Sequence, residues 1–266
     1  MSNEAVASGQ ISLEAATRIV HFALDMGENL QICGGEVSRV EDTIQRICRA
    51  YGAERADVFS ITSVIFATVI WEGGIVITQS RRIKGIEKNT ARIAEINSIS
   101  RSVCTNPVPV EQAEAMLERA MKRNRLTKTR VFIGSLIAAA SYTAFFGGDW
   151  KDVLVTFGVA ALVALCQFAS SYLGGNRILA NVLCCFIAST VTTVAVMLGL
   201  GSSPTMIMSG CIMLLIPGIS MTSAIENLII GDTLSGLLGL MEALITALAL
   251  AGGYGLSQLL VGGITI

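Results

Sequence analysis

Up to about residue 130 the apolar positions recur with the periods of a water-soluble domain; beyond it they merge into long uninterrupted runs. Ser12 is placed to cap a first helix. Leu13, Ala16, Val20, Ala23, Leu24, Gly27 and Leu30 fall on one broad face of that helix, and Gly34-Gly35 interrupts it. A second helix carries Val37, Val40, Ile44, Ile47 and Tyr51 on one stripe and ends at Gly52, placed as a C′ glycine. Arg39, Glu41, Asp42, Gln45, Arg46 and Arg49 are expected to face outward. The period then shortens. Asp57–Ile61, Val64–Trp71 and Ile75–Gln79 are rich in β-branched and aromatic residues, and Glu72-Gly73-Gly74 marks a turn, so a small sheet with a hairpin is predicted. Further helices are predicted over Thr90–Val103 and, after Pro107 and Pro109, over Val110–Arg123.

The second half reads differently. Five apolar stretches are candidates to span a bilayer: Val131–Phe146, Val153–Leu173, Ile178–Leu200, Thr205–Ser220 and Leu234–Val261. The expected fold class is therefore a membrane α-helical bundle of about five spans preceded by a soluble α+β domain. The expected boundaries are 1–130 and 131–266. Charge follows the same division: of 19 Lys and Arg residues, only Lys151 and Arg177 lie beyond Arg130. Lys122, Arg123, Arg125, Lys128 and Arg130 form a basic cluster just before the first apolar run. By the positive-inside rule this puts the N-terminal domain in the cytoplasm, with the bundle in the cell's inner (plasma) membrane and the C-terminus outside. The first ten residues are polar, so no secretory signal is expected.

The near-neutral balance, a net charge of −1, and the lack of a basic face with interleaved aromatics argue against a nucleic-acid partner. No C-x-x-C pair exists among the seven cysteines, and no phosphate-binding glycine loop is present. No metal site or cofactor is expected.

Candidate chemistry concentrates late in the chain. Pro217-Gly218 interrupts an apolar helix; such a break lines a substrate path in some transporters and is a plain helix end in other proteins. Asp232 precedes the last span and is placed to cap it. Glu242 lies ten residues further on, about 15 Å along a helix, near the middle of the hydrocarbon layer. Ser235, Gly239, Glu242 and Thr246 recur at i, i+4, i+7 and i+11, a stripe expected to face the bundle interior. A carboxylate at that depth fits a proton relay, or a protonated packing residue. Gln167, Ser170, Ser171 and Gly174 share a face of the second span, and Asn181, Cys185, Ser189 and Thr192 share one of the third. Asn181 and Gln167 are candidates to reach Glu242, and Glu226 and Asn227 complete the polar set. In the soluble part, His21 is the only histidine, Ser38-x-x-Glu41 has the form of a capping box, and no catalytic triad is apparent.

Two stretches, GGEVSRVEDTIQRICRAYGAERADVFSITSVIFATV and PGISMTSAIENLIIGDTLSGLLGLMEA, resemble the signatures of the threonine/serine exporter (ThrE-like) family. Full-length members carry a second membrane module. The resemblance here is to the larger, YjjP-type subunit of the split form, which acts with a small YjjB-type membrane partner. It implies a subunit of a secondary exporter of small polar metabolites, threonine or serine in one branch and succinate-like dicarboxylates in the other, in a hetero- or homo-oligomer within the lipid bilayer. The alternative is a membrane-bound hydrolase acting on a small amide or ester through the N-terminal domain.

Overall fold

Ser12 caps the first helix: in the computed structural model, which describes residues 11–85, 89–123, 127–172 and 176–261, its hydroxyl accepts from the Ala15 amide at 3.2 Å. The cap opens α1 (Leu13–Ile32), followed by α2 (Val37–Ala50). Three antiparallel strands come next, β1 (Ala53–Ile61), β2 (Val64–Trp71) and β3 (Ile75–Arg82), in the order β1-β2-β3. The register sets Phe59 opposite Phe66 and Trp71 opposite Ile75. Two helices follow, α3 (Thr90–Thr105) and α4 (Val110–Arg123).

The chain divides into two compact units. The first comprises residues up to Arg125 together with Ser223–Leu238; the second comprises Leu126–Thr222 and the residues from Gly239 onward. In the first, the apolar stripes of α1 and α2 close over one face of the sheet. Val20, Leu24, Leu30, Ile44, Ile47, Ile65, Val69 and Ile96 are sealed from solvent in a single core. β2 alternates buried with less buried positions, as a strand covered on one side must.

The second unit holds α5 (Lys128–Phe145), α6 (Trp150–Tyr172), α7 (Arg177–Met197) and α8 (Pro204–Met213). Helices α9 (Gly218–Ile230) and α10 (Thr233–Val261) each contribute to both units. Val159, Val163, Cys185, Ala188, Ile207, Cys211, Leu215 and Leu250 form its core.

Among the described residues, three helices are long and apolar enough to cross a membrane: Trp150–Ser170, Ile178–Met197 and Thr233–Val261. The count becomes four if α8 and α9, bent by 55° about their break, form one span. The expected first span is a helix, α5, but falls outside this set because its first turn is the basic Lys128–Arg130. The expected fourth span, Thr205–Ser220, is not one rod. The ladder stops at Met213, and a new helix begins at Gly218, immediately after Pro217, which has no amide hydrogen to give. Helix α9 also occupies most of Met221–Thr233, the segment between the expected fourth and fifth spans. Arg125 and Gly174 lie outside the described residues.

Candidate functional site

Asp232 stands in the turn between α9 and α10 and caps the latter, its carboxylate accepting from the Ser235 amide at 3.3 Å. Ser235 is fully buried, and its hydroxyl has no hydrogen-bond partner among the described residues. Asn227, five residues before Asp232, is buried as well, whereas Glu226 is exposed. At the break itself Pro217 is half-buried and Gly218 exposed.

A second acid of this unit departs from expectation. Glu41 on α2 was expected on the outward face, as partner of Ser38 in a capping box. The structure corrects both points. The helix is capped at Glu36, and Glu41 is half-buried, accepting from the Ser60 amide of β1 at 2.7 Å. Burial raises its carboxyl above the ordinary glutamate value; the Ser60 amide opposes that, and the nearby charge of Asp232 adds to it. The Ser60 hydroxyl is directed at the same carboxylate but makes no bond of good geometry.

Within the second unit α7 and α10 share a hydroxyl-rich seam. Gln258 donates to the Ser189 hydroxyl at 3.3 Å, and Thr190 and Ser257 share a hydrogen bond of 3.0 Å. Gly253 lets the helices approach: a Cβ there would overlap the Val182 carbonyl oxygen. Thr192 is fully buried and its hydroxyl has no hydrogen-bond partner among the described residues. The α7 stripe was visible in the sequence as Cys185, Ser189 and Thr192; its α10 counterparts Ser257 and Gln258 were not, because two polar residues in a glycine-rich run carry no periodic signal.

The stripe on α10 does not face inward along its whole length, and this corrects the expectation. Ser235 is buried, Gly239 and Thr246 are half-buried, and Glu242 is exposed. Thr246 donates to the Glu242 carbonyl at 2.9 Å, a bond within the helix. Gln167 is exposed and Asn181 half-buried; among the described residues neither bonds to Glu242.

A further acid is Asp152, next to Lys151 in the first turn of α6. It is 1% exposed and receives the amides of Ser202 at 2.7 Å and Ser203 at 3.0 Å. Asp149 accepts from the Ser202 hydroxyl at 2.6 Å, a bond that, with the Asp152 amide, holds its carboxyl below the usual aspartate value. The α5–α6 and α7–α8 turns are thereby clasped together. Asp152→Ala takes the carboxylate acceptor from the Ser202, Ser203 and Asp149 amides and should lower stability by about 2–4 kcal/mol. Thermal unfolding in detergent measures this, with Asp152→Asn losing less; an unchanged midpoint for the alanine variant would show the clasp to be dispensable.

His21 bonds to Gln79 at 2.8 Å, and Arg81, 3.4 Å from its other ring nitrogen, pairs with Asp25 at 2.8 Å. No serine or cysteine hydrogen-bonds to His21 among the described residues. Cys48, the nearest thing to a thiol nucleophile on α2, is pushed up to about 12 by burial, so it stays a neutral thiol.

The arrangement combines a bent membrane helix pair, an acid-bearing turn and polar helix seams. Residues 21–260 match the sequence profile of the ThrE family, described as "Putative threonine/serine exporter". The chain belongs to the threonine/serine exporter family. It is 22% identical over 248 residues to a threonine/serine exporter of Corynebacterium glutamicum, covering 90% of this chain and 50% of that protein. It is 21% identical over 239 residues to a Mycobacterium tuberculosis protein named "Probable threonine/serine exporter", covering 89% and 45%. Pheromone-regulated membrane protein 10 of Pichia sorbitophila is 26% identical over 185 residues, covering 65% and 18%. The chain thus spans about half the length of the exporters it matches. No solved structure matches it. Family membership and the apolar helices make it a membrane protein of a transporter family.

Proposed function

We propose that this protein is a subunit of a secondary exporter of small hydroxylated amino acids, with its N-terminal domain in the cytoplasm of a cell whose inner membrane holds the bundle. The observation that carries the proposal is the family match over residues 21–260, combined with the break at Pro217-Gly218 in the same polar segment that the match includes. Freed backbone groups at such a break need polar partners, which a substrate path provides. The basic Lys122–Arg130 region supports the cytoplasmic placement.

An amino acid fits better than a dicarboxylate. A substrate with two negative charges calls for cations along its path, and beyond Arg130 the chain has only Lys151 and Arg177. The hydrolase alternative finds no support at His21, whose ring is occupied by Gln79 and Arg81.

A membrane partner of the small YjjB type is part of the proposal. Glu242 sits exposed among Met241, Leu244 and Leu248 of α10, and a carboxylate facing lipid tails is costly, so a second subunit covering that face would relieve it. Cells loaded with labelled threonine or serine should export it faster when the chain is present together with its partner. Equal efflux with and without the chain would overturn the assignment.

A further inference from the structure

The three-stranded sheet is covered on one face only. Ala56, Ile65, Ala67, Val69 and Ile77 point into the core, and the residues that alternate with them point away from it. The strand register sets those outward residues in rows: Phe59 beside Phe66 and Ser80, Asp57 beside Thr68 and Thr78, Arg55 beside Ile70 and Val76. Phe59, Phe66 and Val76 are 53%, 47% and 56% exposed. Large apolar side chains gathered on one small surface, with two aromatics directly opposed, mark an interaction patch. The polar side chains among them are largely matched within the face. Thr68 and Thr78 share a 3.0 Å hydrogen bond, and Arg55 pairs with Asp57 at 2.8 Å. Covering the face therefore leaves few polar groups in need of a partner. Arg82, exposed, stands at the end of β3, at the rim.

We propose that this open sheet face packs against the same face of a second copy of the chain, two sheets stacked across a two-fold axis. A second copy brings an equally apolar surface whose hydroxyls and charges are already matched, and sheets stacked face to face at about 10 Å interleave such side chains. Charge does not oppose the pairing, since Arg55 and Asp57 cancel within each copy and Arg82 stays at the wet rim. Area narrows the choice of partner. Three strands about 4.8 Å apart, each with four outward positions about 6.8 Å apart, make a face of roughly 400 Å², or about 800 Å² buried by a pair. Stable complexes that form from solution bury about 1,200–2,000 Å². A face this small serves partners that are already held together, as chains anchored in one membrane are. Copies of one chain carry the sheet on identical membrane anchors, so two of them present it at the same level, whereas a free soluble protein would need a larger surface.

The test is oxidative cross-linking of the full chain, expressed in two differently tagged forms, by copper phenanthroline in isolated membranes. Thr68→Cys, at the centre of the face, should give a disulfide-linked product carrying both tags. Glu118→Cys, exposed on α4, should not, and the wild type sets the background from the native cysteines. Adding Phe66→Glu to Thr68→Cys sets a charge against the opposite face and should cut the linked fraction about fivefold or more, whereas Phe66→Leu should keep it. Circular dichroism checks that the variants fold; should Phe66→Glu fail to fold, Phe59→Ser takes its place with the same expected loss. The proposal is overturned by the absence of a two-tag product above the Glu118→Cys level, and labelling of Thr68→Cys by a maleimide-headed lipid would then mark the bilayer surface as the occupant. A product joining one copy to a different protein overturns it too, as does a two-tag product that Phe66→Glu leaves unchanged.

Discussion

Gly210→Ala is expected to destabilise the membrane unit by about 1–3 kcal/mol, the range for overpacking a tight interior. Helix α8 lies directly on α5 at this point. An added Cβ would overlap the Thr143 hydroxyl and stand 2.6 Å from the Ala139 carbonyl oxygen and 3.0 Å from the Thr143 amide nitrogen. Thr143 could rotate away, at the loss of its 2.9 Å bond to Thr156. The Ala139 and Thr143 backbone atoms cannot rotate, so the helices must separate. Removing the hydroxyl in a Gly210→Ala, Thr143→Ala double variant should therefore recover only part of the loss. Gly134→Ala, on α5 where an added Cβ meets nothing, is the control and should be close to neutral. Thermal unfolding in detergent reads all three. A Gly210 variant as stable as the control would mean that α5 and α8 do not pack this closely.

Glu242→Gln should abolish proton-coupled net export while leaving membrane insertion intact. Glu242 lies about 15 Å along α10 from the Asp232 cap, which is mid-bilayer for a span that starts at that cap. An acid at the centre of a span costs about 2.5–3.5 kcal/mol to insert, a cost that a proton-relay role would account for. Its neighbours Met241, Leu244 and Leu248 are exposed and apolar, whereas Ala243, on the flank of its face, is buried. The residue thus stands at the edge of the bundle's own packing, where a second subunit would seal it. Glutamine keeps the size and the hydrogen-bonding reach but carries no exchangeable carboxyl proton. Exchange of labelled for unlabelled substrate, which needs no net proton movement, can persist. Net export at the wild-type rate over a range of external pH would reduce Glu242 to a packing residue.

Local patterns disclosed local structure well. Strand β2 and helix α4 begin and end where the residues say, because Gly73 and Pro109 punctuate the chain beside them. Strands β1 and β3 run further than their apolar cores, since pairing with β2 carries Arg55, Arg81 and Arg82 into the ladder. No single-strand pattern contains that information. The same limit applies to the site. Asp232 was recognisable as a cap because capping is a matter of three residues. The burial of Glu41 and its bond to β1 were hidden, because they arise only in the fold and Glu41 sits among charged neighbours that do face water. Helix α9 was missed because the expected fourth span ran through Pro217 to Ser220, which left Met221–Thr233 as a connection to the fifth.

The Asp152 clasp has a mechanical consequence. One buried carboxylate binds two successive amides across from its own helix, so the turns that join α5 to α6 and α7 to α8 are pinned at a common point. Four helix ends then share one pivot and have little freedom to splay there. Motion among these rods is left to their opposite ends, and the interrupted ladder at Pro217, where no continuous helix resists bending, is the compliant joint on which that leverage falls.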